Sequence, residues 1–494
     1  MHINKDKSFL LIIFFFLTFV LILQLTSQHW SSKVDQDSVV LYNSLLVANN
    51  IEQEYLDHPS YSLFLINGIF LKIANLIGLI NIDFITKINS VDDFDKKFQH
   101  AFYVIKAVGL VVSFLSIFIF KKIMQQLNFS LKQIIISILF LVTNYYYILS
   151  FFSLRSEPIA VLFFLISLYC VFKFNNNQKY HLIIFFSIFM VLSILAKIQL
   201  IISYFFLILF FIVNCDNYKI SDIPLFLKKK KFLFSINLFF LIFFLVLIYF
   251  VSSSDRYLGL FILEKYFIIL ICLFFLYFLF INKIRLSNYF LRFNQILFFI
   301  FFGIFVSLII FFLLDFFEFI ALNPRVILRL ILPIHYLTYF SNIYSLEQIS
   351  NNLILDLPTF IYFIATIFFG LIYFIKSYNF SNFKEKKLMF FLFAILILSL
   401  VSSFFRGFYF YIIIYISIIC SNIFLQNKNK IFHLAFVVLF ISNIFINFSN
   451  FKNLIPLNDK IDLICKNENN IRDYMKYWHQ KFDDKFLDKF CLIK

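Results

Sequence analysis

Residues 182–213 read LIIFFSIFMVLSILAKIQLIISYFFLILFFIV, 32 positions with a single charge. As one α-helix this run would measure about 48 Å, against a bilayer hydrocarbon core of about 30 Å. One crossing does not fit, and Lys197 and Gln199 mark the break. The run reads as two short helices joined by an outer turn at Ala196–Gln199. Charge supports this reading. The next loop holds Lys228–Lys231, four lysines in a row, and short lysine-rich loops stay on the cytoplasmic side. Two crossings keep them there; one would place them outside.

The same rule orders the rest of the chain. Of 494 residues, 62% are hydrophobic and 14% charged, where a soluble domain carries about a quarter charged. That composition excludes a soluble enzyme, and apolar runs such as Phe9–Leu25 and Phe232–Val251 exclude a disordered chain. The net charge is +16. Its lysines and arginines sit in short loops between apolar runs, without the exposed interleaved aromatics of a nucleic-acid binder, so no nucleic-acid partner is expected. The 80 phenylalanines fit an AT-rich codon bias as well as any design.

Lys5 and Lys7 place the N-terminus inside, and span one covers about Ser8–Ser27. It lacks an Ala-x-Ala cleavage signal and reads as an anchor. Span two, near His100–Phe120, ends at Lys121–Lys122; span three lies near Gln133–Leu149; span four runs to about Val171, before Lys173 and Lys179. Beyond the broken run, spans fall near 232–251, 266–281, 296–314, 359–375, 388–404, 408–425 and 431–447. Their inner loops carry Lys283, Arg285 and Arg292, then Lys376, Lys384, Lys386 and Lys387, then Lys428 and Lys430. The fold class is thus an all-α polytopic membrane protein of about 13 transmembrane helices. Residues 1–447 form the transmembrane domain, with 28–99 as a long first extracytoplasmic loop and 315–358 as a large outer loop. Residues 448–494 form a small extracytoplasmic tail. Leu63–Ile80 is apolar but interrupted by Asn67, Lys72 and Asn75. A crossing there would invert every later lysine loop, so parity favours a helix lying in the interface.

The polar chemistry gathers in the outer loops. Asp35 and Asp37 follow span one, just before the apolar helix starting at Val39. They serve either as helix caps or as a general base at the mouth of a membrane cavity; one residue can do both. Asp57-His58-Pro59 is a turn or a second polar cluster in the same loop, and Glu52 and Glu54 read as solvated residues of a helix face. Arg155-Ser156-Glu157-Pro158 puts both charge signs in one short loop, with Pro158 suited to open the next helix. The charges are either membrane anchors or an ion pair shaping a cavity. Lys197 and Arg406, with Arg325 and Arg329, are cations kept outside against the charge bias. They are phosphate ligands or snorkelling anchors. His335 in Leu332-Pro333-Ile334-His335-Tyr336 reads as structural. Walker A, Gly-x-Gly-x-x-Gly, His-Glu-x-x-His and Gly-x-Ser-x-Gly patterns do not occur.

This arrangement resembles the GT-C superfamily of membrane glycosyltransferases, in particular the dolichyl-phosphate-mannose-protein mannosyltransferase and ArnT-like branch. Members carry an acidic pair after the first span, an in-plane helical loop, then His-Pro before an apolar segment. Asp35-Gln36-Asp37, Val39–Leu46 and His58-Pro59-Ser60-Tyr61 follow that order, with Ser60 where the family often has a second Pro. Arg155–Pro158 is similar to the family's charged element in the second outer loop, and Ala196–Gln199 to its Lys-containing turn. Arg406-Gly407-Phe408-Tyr409 resembles a late Arg-Tyr element thought to hold the lipid phosphate, although Arg406 and Tyr409 are not adjacent. The likeness covers roughly residues 8–215, and mainly topology beyond.

The resemblance implies an inverting transfer of one sugar from a polyprenyl-phosphate donor to a lipid, glycan or protein acceptor. The expected location is a bacterial inner membrane, with the site on the periplasmic face. Asp35 or Asp37 would be catalytic. His58, Arg155, Glu157, Lys197, Arg406 and Tyr409 would bind donor or substrate. Some relatives use a divalent cation; Asp35 and Asp37 are the residues that would bind one, but two oxygen ligands do not specify a site. The alternative is a transporter or lipid flippase. That class expects ionisable residues at mid-membrane and internal repeats, whereas here the charges read as clustered at the outer ends.

Of six cysteines, Cys170, Cys215, Cys272 and Cys420 lie near inner ends and should be free thiols, while Cys465 and Cys491 share the outer tail. Non-reducing electrophoresis with mass mapping is expected to show a Cys465–Cys491 bond; two free thiols there would remove the pairing.

Overall fold

The computed structural model of the chain describes residues 11–22, 38–54, 61–85, 91–142, 147, 154–197, 200–213, 229, 232–233, 235–240, 242–243, 288–319, 415–416, 418–420 and 441. The expected spans at 266–281, 359–375 and 388–404, and the tail 448–494, lie outside the described residues. So do Asp35, Asp37, His58, Arg406 and Tyr409.

Among the described residues the fold is helical, with no β-strand. In chain order the helices are α1 (Leu11–Ile22), α2 (Val39–Ala48), α3 (Tyr61–Leu76), α4 (Val91–Gln126), α5 (Leu131–Val142), α6 (Glu157–Asn177), α7 (His181–Ala196), α8 (Ile201–Val213) and α9 (Asn288–Phe316). A single 3-10 turn, Asp83–Ile85, precedes α4. Three of them contain segments long and apolar enough to cross a membrane, Asp93–Gln126, Glu157–Asn177 and Leu291–Phe316.

The long apolar run breaks where its polar residues predict. α7 stops at Ala196, and Lys197 takes an extended backbone with φ −151° and ψ 104°. α8 resumes at Ile201. Pro158 sits in the first turn of α6, where its missing N–H costs no helical bond. Span two differs from expectation. Instead of ending at Lys121–Lys122, α4 continues to Gln126, 36 residues in all and about 54 Å long. Lysine ends hydrocarbon but does not end a helix. Lys121 is buried, and the Lys122 ammonium lies over the Phe118 ring one turn back, which is how a long cationic stem behaves at a membrane boundary.

Side-chain contacts fix how the helices run. α6 and α7 form an antiparallel hairpin: Ser193 Oγ donates to the Ala160 carbonyl at 2.8 Å, and Ser167 Oγ to the Phe186 carbonyl at 3.3 Å. α8 descends beside α6, with Tyr204 donating to Ser167 Oγ at 3.2 Å and Phe174 meeting Phe211 edge-on. α4 runs with α6, since Asn176 Nδ2 donates to Gln126 Oε1 at their shared ends. α7 and α9 run parallel. Tyr180 stacks on Phe299 at one end, while at the other α3 bridges them, Ser62 bonding the Leu192 carbonyl and Tyr61 meeting Phe311.

Two chemically different ends result. One carries Lys121, Lys122, Lys132, Lys173, Lys179 and Arg292. The other gathers Arg155, Glu157, Lys197, Asp315 and Glu318 with α2, α3 and the start of α4, where Phe84 packs on Phe94 and Phe98. The described part of the first loop is thus folded onto the mixed-charge end. α3 itself is largely buried, and Gly68 lets it approach α2: a Cβ there would meet Val47 Cγ1 at 3.2 Å and the Ser44 carbonyl at 3.3 Å.

α7 and α9 also approach closely. A Cβ on Gly303 would stand 2.6 Å from Ser187 Cβ and 2.7 Å from the Ile184 carbonyl. Small residues at such crossings replace the hydrophobic drive that lipid removes. Gly303→Ala is expected to destabilise the bundle by about 1–3 kcal/mol through overpacking, read as a lower unfolding temperature in detergent, while Ile310→Ala on the exposed face leaves it nearly unchanged.

Candidate functional site

At the mixed-charge end, Lys197 Nζ meets Glu157 Oε1 at 2.9 Å, with both side chains buried. The two residues are 40 positions apart and are joined by the α6–α7 hairpin. Each sits where its helix favours its charge. Glu157 opens α6, at the positive end of the helix dipole, and Lys197 caps α7 at the negative end. The antiparallel pairing brings those two ends together. Ser193, one turn below Lys197, holds the register through its bond to Ala160. Arg155 lies close enough to act electrostatically on Glu157.

The short charged loop and the lysine turn, separate elements in the sequence, therefore form one cluster. Arg155, Glu157 and Lys197 come together. Of the two readings of the Arg155–Pro158 charges, anchors or an ion pair, Glu157 is in an ion pair, and its direct partner is Lys197. Among the described residues the cluster brings together two cations, Arg155 and Lys197, and one carboxylate, Glu157, and such cations can hold an anion.

A second network lies in the first loop. Tyr42 is fully buried and donates to Glu54 Oε1 at 3.0 Å, while the Glu54 backbone N–H donates to Asn43 Oδ1 at 2.9 Å. Burial and the Glu54 charge push the Tyr42 phenol well above its usual value, so it remains a proton donor. Glu54 corrects an expectation. α2 ends at Ala48, and after Asn50, at φ +58°, the chain folds back. Glu54 therefore sits beyond the helix, held by its buried tyrosine, not on a solvated helical face; Glu52 is the exposed one. The adjacent Tyr-Asn on an otherwise apolar helix was the available signal.

Lys106 corrects another. Ionisable residues read as confined to the span ends, yet Lys106 is buried within α4, its ammonium 4.8 Å from the Phe102 ring centroid. It was visible as a lone lysine inside an apolar run. Among the described residues, no group of three His, Cys, Asp or Glu side chains is placed to hold a metal. Cys170 and Cys420 are buried free thiols. Comparison with protein-family models, with curated proteins and with solved structures finds no match to this chain.

Removing one member of a buried ion pair leaves a bare charge, which costs about 3–5 kcal/mol. Lys197→Met should lower stability in detergent by that order, and Glu157→Gln added to it should restore most of the loss. Equal instability of the single and double variants would show that Lys197 is held by something other than Glu157.

Proposed function

We propose that the chain is an integral membrane glycosyltransferase that moves a sugar from a polyprenyl-phosphate donor to an acceptor outside the cytoplasm. The observation that supports this reading most is the buried Glu157–Lys197 pair, with Arg155 beside it, at the bundle end onto which the first loop folds. The GT-C resemblance requires these elements to share one face. The described contacts give them a common end, and the lysine-rich end lies opposite.

On this reading the acceptor oxygen attacks the anomeric carbon in line as the bond to the carrier phosphate breaks. The acceptor proton passes to Asp35 or Asp37. The departing polyprenyl phosphate keeps the bonding electrons, and Lys197 or Arg406 stabilises its charge. His58, Arg155 and Tyr409 orient the substrates. The acceptor is a lipid, a glycan or a protein, and the compartment is the periplasmic side of a bacterial inner membrane.

A transporter or flippase is the second reading, and Lys106 inside α4 favours it, because a charge at membrane depth often lies on a transport path. The two classes differ in whether a covalent bond breaks. Membrane vesicles supplied with hexose- and pentose-loaded polyprenyl phosphates are expected to release free polyprenyl phosphate. At least one of Asp35→Asn and Asp37→Asn should insert normally and release none. Among correctly inserted proteins, Lys197→Met combined with Glu157→Gln should lose about 10²–10³-fold in rate. Movement of intact donor across the membrane, without release and abolished by Lys106→Met, would establish the transporter instead.

A further inference from the structure

α3 ends in a hydrogen-bonded turn whose side chains are exposed. Gly78 has φ +75°, its N–H donates to the Asn75 carbonyl at 3.0 Å, and the Leu79 N–H donates to the Ala74 carbonyl at 2.9 Å. These paired bonds close a helix without fraying. Yet Leu76 is 73% exposed, Leu79 is 68% exposed, and Ile73 and Ile77 stand out beside them. A Cβ added to Gly78 would meet nothing within 4 Å.

This turn is clasped to the end of α9. Lys72 Nζ donates to the Glu318 carbonyl at 2.9 Å and the Phe319 carbonyl at 2.7 Å, and lies over the Phe319 ring. Asn50 Nδ2 also donates to the Glu318 carbonyl. Carbonyls past a helix end have no intrahelical donor, and the clasp supplies donors to those of Glu318 and Phe319. Beside it the outer face of α9 is apolar and exposed through Phe312, Leu313, Phe316 and Phe317.

We propose that the α3 turn Ile73–Leu79 is seated in lipid at the mixed-charge face, its depth fixed by the Lys72 clasp. Lipid is the occupant because the turn continues the exposed face of α9, a helix long and apolar enough to cross the membrane. The Lys72 and Asn50 contacts tie the turn to the end of that helix, and Lys72, Asn50 and Glu318 mark where hydrocarbon gives way. A turn of this kind sinks about 5–10 Å into the headgroup and acyl boundary. Its ammonium keeps to the polar level while its stem packs on apolar surface. This placement does not depend on the glycosyltransferase reading.

The test uses the full chain in nanodiscs, with Trp30→Phe and Trp478→Phe removing the two native tryptophans. Leu79→Trp is introduced, with Ile77→Trp as a second reporter; both positions are exposed, so either ring fits. Phospholipids brominated near the headgroup should quench the reporter by about half, and lipids brominated at the chain ends much less. Adding Lys72→Gln should move quenching toward aqueous iodide. Three results would overturn the proposal: quenching by iodide alone, protection from both quenchers as under a protein partner, or strongest quenching at the chain ends, as for a helix that crosses.

Discussion

The thickness of the hydrocarbon sets the geometry on which the rest depends. A 32-residue apolar run is too long to cross once as a single helix, and the helix stops at Lys197. The strand of helix before it must then pair antiparallel with its neighbour. That pairing sets the N-terminus of α6 against the C-terminus of α7. The two helix dipoles then favour a carboxylate on one side and an ammonium on the other. Glu157 and Lys197 occupy those places at 2.9 Å. The ion pair is thus a consequence of the hairpin, and the serine bonds at Ala160 and Phe186 keep it in register.

The packing between helices follows from the same solvent. Lipid gives little hydrophobic reason for helices to associate, so close fit and internal hydrogen bonds do the work. Gly303 admits α7 against α9, and Gly68 admits α2 against α3. Four buried serines turn inward on their own helices. Ser44 bonds the Val40 carbonyl, Ser116 that of Val112, Ser187 that of Ile183 and Ser307 that of Gly303. These four hydroxyls are satisfied within their own helices, while Ser193, Ser167 and Ser62 bond across helices, and apolar side chains fill the remaining surfaces between helices. The abundant phenylalanines fill them, often edge to face, as where Phe240 meets Phe305 and Phe186 meets both Tyr204 and Phe211.

The break at Lys197 and the helix start at Pro158 were legible because length and backbone chemistry act locally. Among the described residues, the gathering of Lys121, Lys122, Lys132, Lys173 and Lys179 toward one end was legible because short lysine-bearing segments recur between the apolar runs. The pairing of Glu157 with Lys197 was not. It links residues 40 positions apart, and sequence displays charges without showing which of them meet. Glu54 was misread because the Tyr42-Asn43 pair that holds it lies 11–12 positions back, on α2. Lys106 was passed over because one lysine scarcely changes the hydropathy of a run. The clasp of Lys72 on Glu318 and Phe319 engages backbone carbonyls, which no side-chain pattern can encode.

The buried pair also constrains how an anion would be handled on the glycosyltransferase reading. A lone buried lysine would bind phosphate tightly and release it slowly, and lipid phosphate is the product of the transfer. With Glu157 at hydrogen-bond distance, the Lys197 charge is already balanced. An incoming phosphodiester, carrying one negative charge, must share the ammonium, whose three protons can serve two acceptors. Arg155 adds a positive charge beside the carboxylate, so the cluster as a whole still attracts an anion. As the bond to the sugar breaks, the phosphate gains negative charge and its claim on the shared protons rises. A site whose ammonium is already shared with Glu157 therefore responds more to the leaving group than to the bound donor. That difference is what lowers a barrier.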